Sequence, residues 1–291
     1  MGFYGLETGI LENQFYQLEY LLDAGPRIVR LIHKQSGVSF FSESPDLVLD
    51  TPVGKYHVRG GHRFWVAPES YEMCYQPDDT GVQVSRDGTS VTLRKDGQAP
   101  FHLHKEVILH MHDTKPIIRI THSLRNDSSL PVRCAPWAIT MLKPGGTAIL
   151  PLRKGVNDSN GLTPDRSITF WPYTKLADPR LDIHDERILI HADPAITEPF
   201  KLGTRAPFSW LGYLRDGIAF TKKSFFGASF TYPDLGCNLE IYTNGQFIEL
   251  ESLGSLEILQ PGHWSKHVEE WEMFPFDGLP HELFEKINQS I

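Results

Sequence analysis

Three groups of residues in this chain have the types and spacing to do chemistry. The first is Gly60-Gly61-His62-Arg63-Phe64-Trp65-Val66-Ala67-Pro68-Glu69. Two glycines let the backbone bend or approach another group closely. An imidazole, a guanidinium fork, an indole and a carboxylate then follow within a few residues. That mixture suits a polyhydroxylated ligand, which needs flat apolar surface for its C–H faces and planar donors and acceptors for its hydroxyls. The second is Phe247-Ile248-Glu249-Leu250-Glu251-Ser252-Leu253-Gly254. On a strand Glu249 and Glu251 share one side, with Cα atoms about 6–7 Å apart. In a desolvated cleft, burial and mutual repulsion would raise one carboxyl toward the range of a general base or acid.

The third group is histidine. His102 with His104, and His110 with His112, are i, i+2 pairs able to aim two imidazoles at one metal. A cupin-like site would place a glutamate three or four residues further on, and Glu106 comes too early. Leu103, Val107, Leu109 and Met111 make the alternate face apolar, which puts these histidines on the wet side, so no metal is expected. Trp137, Lys143, Arg205, Trp210, Lys222, Asp234 and Asn238 are further polar or aromatic residues that could line a cleft. No phosphate loop, nucleophile elbow, H-E-x-x-H or dinucleotide fingerprint occurs.

The elements that must carry these groups are strands. Period-two alternation runs through Val91–Arg94, Leu103–Met111, Ile117–Leu124, Asn238–Thr243, Phe247–Leu253 and Ser255–Leu259. Turn signals bound them, among them Asp87-Gly88, Asp216-Gly217, Pro261-Gly262 and, most diagnostic of a hairpin, Asn244-Gly245. A helical spacing appears only near the end, where Leu279, Leu283, Phe284 and Ile287 fall on one face. Residues 153–199, polar and proline-rich, read as a long loop system. No fixed-period repeat or linker divides the chain, so one domain over residues 1–291 is expected.

Composition agrees. With 40% apolar and 22% charged residues, the 291-residue chain has enough of each for a packed core and a polar surface. Lys and Arg number 28 against 36 Asp and Glu, a net charge of −8, which argues against a basic footprint for nucleic acid or an anionic membrane. Cys74, Cys134 and Cys237 are too few and too scattered for a disulfide framework or a zinc cage. The N-terminal stretch lacks the basic and apolar regions of a secretory signal, and no run reaches the ~18 apolar residues of a membrane span. A cytoplasmic location is expected.

Taken in order, several segments resemble the galactose mutarotase-like superfamily, in particular a bacterial branch of it. They are Gly60–Glu69, Asn126–Pro131, Ala135-Pro-Trp-Ala-Ile-Thr140, Pro144-Gly-Gly, Tyr232-Pro-Asp-Leu-Gly, Phe247–Gly254, and Leu256-Glu-Ile-Leu-Gln-Pro-Gly262 with Glu270-Trp271. The resemblance implies an all-β fold, a large antiparallel super-sandwich with a sugar-sized cleft across its concave face, to which the spacing near the end of the chain adds a short C-terminal helix. In aldose 1-epimerases of this fold a glutamate on the penultimate strand takes the anomeric hydroxyl proton, and a histidine protonates the ring oxygen.

Glu251 falls on the glutamate position, and Trp137 stands about where the histidine belongs. Indole cannot protonate an ether oxygen. The reading that follows is a carbohydrate-active isomerase acting at the anomeric carbon, with Glu251 as base and His62 as acid. Arg63, Glu69, Lys143, Arg205, Lys222 and Glu249 would anchor substrate, and Trp65 and Trp137 would form its walls. Paired proton transfers need no cofactor, and the partner is a small carbohydrate. The rival reading is a carbohydrate-binding or sensing protein without catalysis, which the substituted histidine favours.

Overall fold

The computed structural model describes residues 2–152, 160–206, 208–225 and 230–289. Alternation becomes strand along most of the chain, and every strand pair is antiparallel. The strands form two sheets, one of thirteen strands and one of ten among the described residues. In the larger sheet, Arg27–His33, Gly54–Ala67, Val132–Leu142, Ile248–Leu253, Leu239–Thr243, Phe200–Thr204 and Ile168–Phe170 lie side by side in that order. The smaller sheet is centred on Ile218–Phe225, Trp264–Pro275, Ile118–Asn126 and Leu103–Met111.

The main core fills the space between the sheets. Phe64, Val66, Ile241 and Leu250 from one sheet meet Val107, Ile120, Leu211, Phe220 and Trp271 from the other. Each such side chain contributes about 1.5–3 kcal/mol by leaving water. A second buried cluster lies on the opposite face of the larger sheet: Tyr56, Trp65, Trp137, Ile139, Met141 and Leu253. The central strands of that sheet are therefore buried on both faces.

The Gly60-Gly61 pair does steric work. Both glycines have positive φ, 84° and 68°, and a Cβ on Gly61 would come within 2.1 Å of the Ile28 carbonyl oxygen. The bend lets the strand that begins at Gly54 pair first with Glu43–Thr51 and then with Val132–Leu142. The Asn244-Gly245 turn joins Leu239–Thr243 to Ile248–Leu253 as a hairpin, as its sequence signal requires.

Helix Pro280–Asn288 forms at the C-terminal end, where proline opens the first turn and the Glu282 carboxylate accepts the Leu279 N–H at 2.6 Å. Its buried Leu283, Phe284 and Ile287 pack on Ile149, Leu189 and Trp210, on the side of the smaller sheet away from the main core.

The proline-rich stretch departs from the loop expectation. Residues 153–159 lie outside the described residues, but Ile168–Phe170, Leu181–Ile183 and Arg187–His191 are strands that extend both sheets. Each is too short for alternation to reveal it. On the Leu103–Met111 strand, His110 is exposed, whereas His104 is buried against Trp264 with its Nδ1 3.0 Å from Asp96.

Candidate functional site

Directly opposed residues in an antiparallel sheet point to the same side. The register therefore lays Arg63, Ile139, Glu251, Glu240 and Gly203 in one row across five strands. The next row holds Gly61, Met141, Glu249, Tyr242 and Lys201. Both rows face away from the smaller sheet, and Arg63, Ile139, Glu251, Glu249, Tyr242 and Lys201 from them form the floor of a cleft of about 420 Å³. Trp65, Glu69, Tyr75, Trp137, Trp171, Tyr173, Tyr242 and Phe247 line its sides, with Leu47 and Leu49 at the rim.

Two ion pairs organise the floor. Arg63 donates an N–H to Glu249 Oε1 at 2.7 Å, and its guanidinium lies 4.3 Å from the Trp65 ring centre. Lys201 Nζ sits 2.9 Å from Glu251 Oε2 and 2.8 Å from Glu240 Oε2, sandwiched between the rings of Trp137 and Trp171. Trp137 Nε1 donates to the same Glu251 oxygen at 2.9 Å. Burial alone would depress the Lys201 ammonium, but the Glu240 and Glu251 carboxylates hold it well above its ordinary range. Burial pushes the Glu240 carboxyl strongly up. Three carboxyls thus face two cations, and every cation on the floor is matched.

The residues singled out in the sequence divide sharply. Arg63, Trp65, Glu69, Trp137, Glu249 and Glu251 converge on the cleft. Glu69 is at its exposed rim, accepting a hydrogen bond from the Tyr75 hydroxyl. Trp65 and Trp137 are almost fully buried, and the more open ring surface belongs to Trp171, Tyr173 and Tyr242. Lys143, Arg205 and Lys222 lie elsewhere. The Lys143 ammonium binds the Ser39 carbonyl, and Arg205 borders a separate depression with Arg133 and Tyr232.

His62 also lies elsewhere, for a simple reason. Adjacent residues on a strand project to opposite faces, so with Arg63 in the cleft His62 must enter the space between the sheets. Its ring has no reach to a cleft ligand, and the acid role assigned to it is corrected accordingly. Sequence reasoning missed Lys201, Glu240, Trp171, Tyr173 and Tyr242. The Leu239-Glu-Ile-Tyr alternation places Glu240 and Tyr242 on one face, but Lys201 alternating with Phe200 and Leu202 reads as an ordinary solvated lysine.

Behind the floor, between the sheets, is a polar network. Lys222 Nζ reaches Ala138 O at 2.8 Å, Leu250 O at 2.9 Å, Glu269 Oε1 at 3.0 Å and Thr140 Oγ1 at 3.1 Å. His122 Nδ1 faces the His267 carbonyl at 3.3 Å, an acceptor only, so this nitrogen carries the proton. With His122 neutral, its bare Nε2 accepts from His62 Nε2 at 2.8 Å, and His62 Nδ1 accepts from the Thr140 hydroxyl at 2.9 Å. Ser252 donates to Glu269 and accepts from His267, and Trp271 Nε1 donates to the other Glu269 oxygen at 3.0 Å.

Among the described residues, His62, His122 and Glu269 are the one group whose ligand atoms lie close enough to share an ion, within 4.8 Å of one another. Each of those atoms already faces a hydrogen-bond partner. A dication would also meet the Lys222 ammonium, so the geometry is that of a proton-sharing network.

These groups make stability fall with acid in a defined window. Burial holds His122 down at about 3 and His62 well below its ordinary range, so both stay neutral in the fold while the unfolded chain protonates near 6.5. Below that pH the unfolded state binds more protons, and each buried neutral imidazole costs about 1.4 kcal/mol per pH unit. Burial would raise Glu269, but Lys222 and the histidines hold it well below the usual carboxylate range. Its stabilisation is present above the unfolded value near 4.3 and is lost as pH falls through the lower folded value. Urea titrations are expected to show stability decreasing steadily from pH 7 to pH 5. A flat profile over that interval would remove the neutral-imidazole assignment.

No family model matches the chain, and no curated protein matches it. Solved structures do. A galactose mutarotase-like protein from Lactobacillus casei superposes with a TM-score of 0.61 at 13% identity, over 92% of this chain and 100% of that one. A galactose mutarotase related enzyme from Lactobacillus acidophilus gives 0.56 at 12% identity, over 94% and 99%. A TPR-domain containing protein from Parabacteroides distasonis gives 0.65 at 16% identity; it covers 94% of this chain, which spans 49% of that longer protein. The architecture is the galactose mutarotase-like fold, and at these identities the likeness is one of fold.

Proposed function

We propose that the cleft binds a neutral sugar or sugar derivative. The observation that carries this reading is the floor itself: two carboxylates, Glu249 and Glu251, each held by a buried cation beneath an aromatic rim. Fixed carboxylates and indole or guanidinium N–H groups orient hydroxyls, and open ring faces cover C–H surface. A phosphorylated ligand would need unmatched cations. Of the four named in the sequence, Arg63 alone lines the cleft, and it is already paired. The test is quenching of tryptophan fluorescence by a panel of neutral aldoses and their 6-phosphates. Saturable quenching by neutral sugars supports the reading, and preference for the phosphates overturns it.

A second reading adds turnover, favoured by one observation: Glu251 lies on the cleft floor, on the strand where the resemblance places a catalytic base. Epimerisation at the anomeric carbon also needs a proton donor to the ring oxygen. The described cleft residues include no histidine, and Lys201 is held too strongly protonated to release a proton readily. Polarimetry on a freshly dissolved α-anomer decides between the readings. If turnover occurs, wild type speeds relaxation and Glu251→Gln brings it about 100-fold or more toward the buffer rate. Relaxation at the buffer rate with sugar still bound leaves binding as the function.

A further inference from the structure

A second cavity, of about 50 Å³, shares Arg63 and Trp65 with the cleft but is otherwise walled by different residues. At about 10–15 Å³ per water-sized occupant it has room for roughly three to five heavy atoms. Three cations border it besides Lys95, two of them ion-paired guanidinium groups with one N–H left over. Arg27 is 1% exposed; its terminal nitrogens bind Val58 O, the Tyr56 hydroxyl and Asp78, but its Nε has no acceptor among the described residues. Arg63 is 6% exposed and likewise leaves Nε without an acceptor. The Lys105 ammonium, on the Leu103–Met111 strand, makes no hydrogen bond or ion pair with a described residue.

We propose that this cavity is a binding site for a small oxyanion (a carboxylate, bicarbonate, phosphate or sulfate) held by Lys105 together with Arg27 and Arg63. Buried donors are almost always paired, so two leftover guanidinium N–H groups beside a half-buried ammonium call for an acceptor-rich occupant. Water would satisfy the guanidinium N–H groups but would leave the lysine charge uncompensated.

The acids in the wall do not fill that place. Asp78 is engaged by Arg27 and Arg59, Asp96 faces His104, and Glu72 stands on an exposed turn. The remaining cation, Lys95, is turned to the Thr80 carbonyl. Burial holds the Lys105 ammonium below its ordinary range, with the nearby Asp78 carboxylate offsetting only part of the effect, and an anion would offset more. Because Arg63 and Trp65 belong to both cavities, an anion here would brace the cleft wall.

Calorimetric titration of the full chain with acetate, bicarbonate, phosphate and sulfate, against chloride at matched ionic strength, tests the site. Wild type is expected to bind at least one oxyanion over chloride, and the preferred one identifies the natural class. Lys105→Met should weaken it about tenfold or more, as loss of a charged hydrogen bond does, while Lys115→Met at an exposed position leaves it unchanged. Equal affinity in Lys105→Met and wild type, or no oxyanion preference in wild type, overturns the proposal. Should Lys105→Met not fold, wild-type crystals soaked in selenate give the answer: anomalous density beside Lys105 supports the site, and density only elsewhere overturns it. None of these outcomes depends on what the cleft binds.

Discussion

Lys222→Met is expected to lower stability by about 3–5 kcal/mol, the cost of leaving a buried carboxylate without its cation. Lys222 and Glu269 are both fully enclosed between the sheets, so neither charge is screened by water. Removing the ammonium leaves Glu269 with the neutral Ser252 and Trp271 donors and with His267 at 3.8 Å, and it also removes the Lys222 contacts to the Ala138 and Leu250 carbonyls. Adding Glu269→Gln to Lys222→Met should recover part of the loss, because a neutral amide costs far less to bury than a carboxylate. Urea unfolding of the two variants checks this. A double variant no more stable than the single one would show that the carbonyl contacts, rather than the charge, set the cost. The same contacts tie the strands of Trp137 and Glu251 to the smaller sheet from behind.

Lys201→Met is expected to cost a similar amount, about 3–5 kcal/mol at neutral pH, with a different pH signature. Glu240 and Glu251 are direct cross-strand neighbours, 0% and 1% exposed, and Lys201 Nζ is the cation between them. Without it two buried carboxyls face each other, and desolvation and repulsion push the Glu240 carboxyl, already raised, further above its unfolded value near 4.3. A carboxyl raised in the fold keeps its stability below the unfolded value and loses it as pH rises through the folded one. The Lys201→Met deficit should therefore be small near pH 4 and grow toward pH 8. A pH-independent deficit would mean that lost packing against Trp137 and Trp171 dominates. Sugar affinity should fall as well, since the lysine fixes Glu251 in the cleft floor.

The two lysines meet opposite faces of the larger sheet, Lys201 from within it and Lys222 from the smaller sheet behind, and this is where sequence reading stopped. Alternation showed that Glu249 and Glu251 share a face, because side-chain direction on a strand follows from the backbone alone. It could not say which face is the cleft. Usually polarity decides, with the apolar side in and the polar side wet. Here strands such as Ile248–Leu253 are buried throughout, one face against the second sheet and the other beneath the cleft aromatics. Polar groups stand on both faces: His62, Thr140 and Ser252 inward, Arg63, Glu249 and Glu251 outward. The imidazole beside Arg63 thus looked like a site residue and is a core residue.

By itself, then, the amino-acid order determined alternating strands such as Leu103–Met111 and Ile248–Leu253, the Asn244-Gly245 hairpin, the C-terminal helix and the pairing of the two glutamates on one side, because these depend on neighbours a few positions apart. Tertiary structure alone decided that Lys201 and Trp171, from strands and turns with no local signature, meet Glu251, and that Lys222 neutralises Glu269 rather than a ligand. Those meetings depend on sheet order and register, which bring together residues about 50 positions apart. No periodicity within a segment encodes which distant segment will lie beside it.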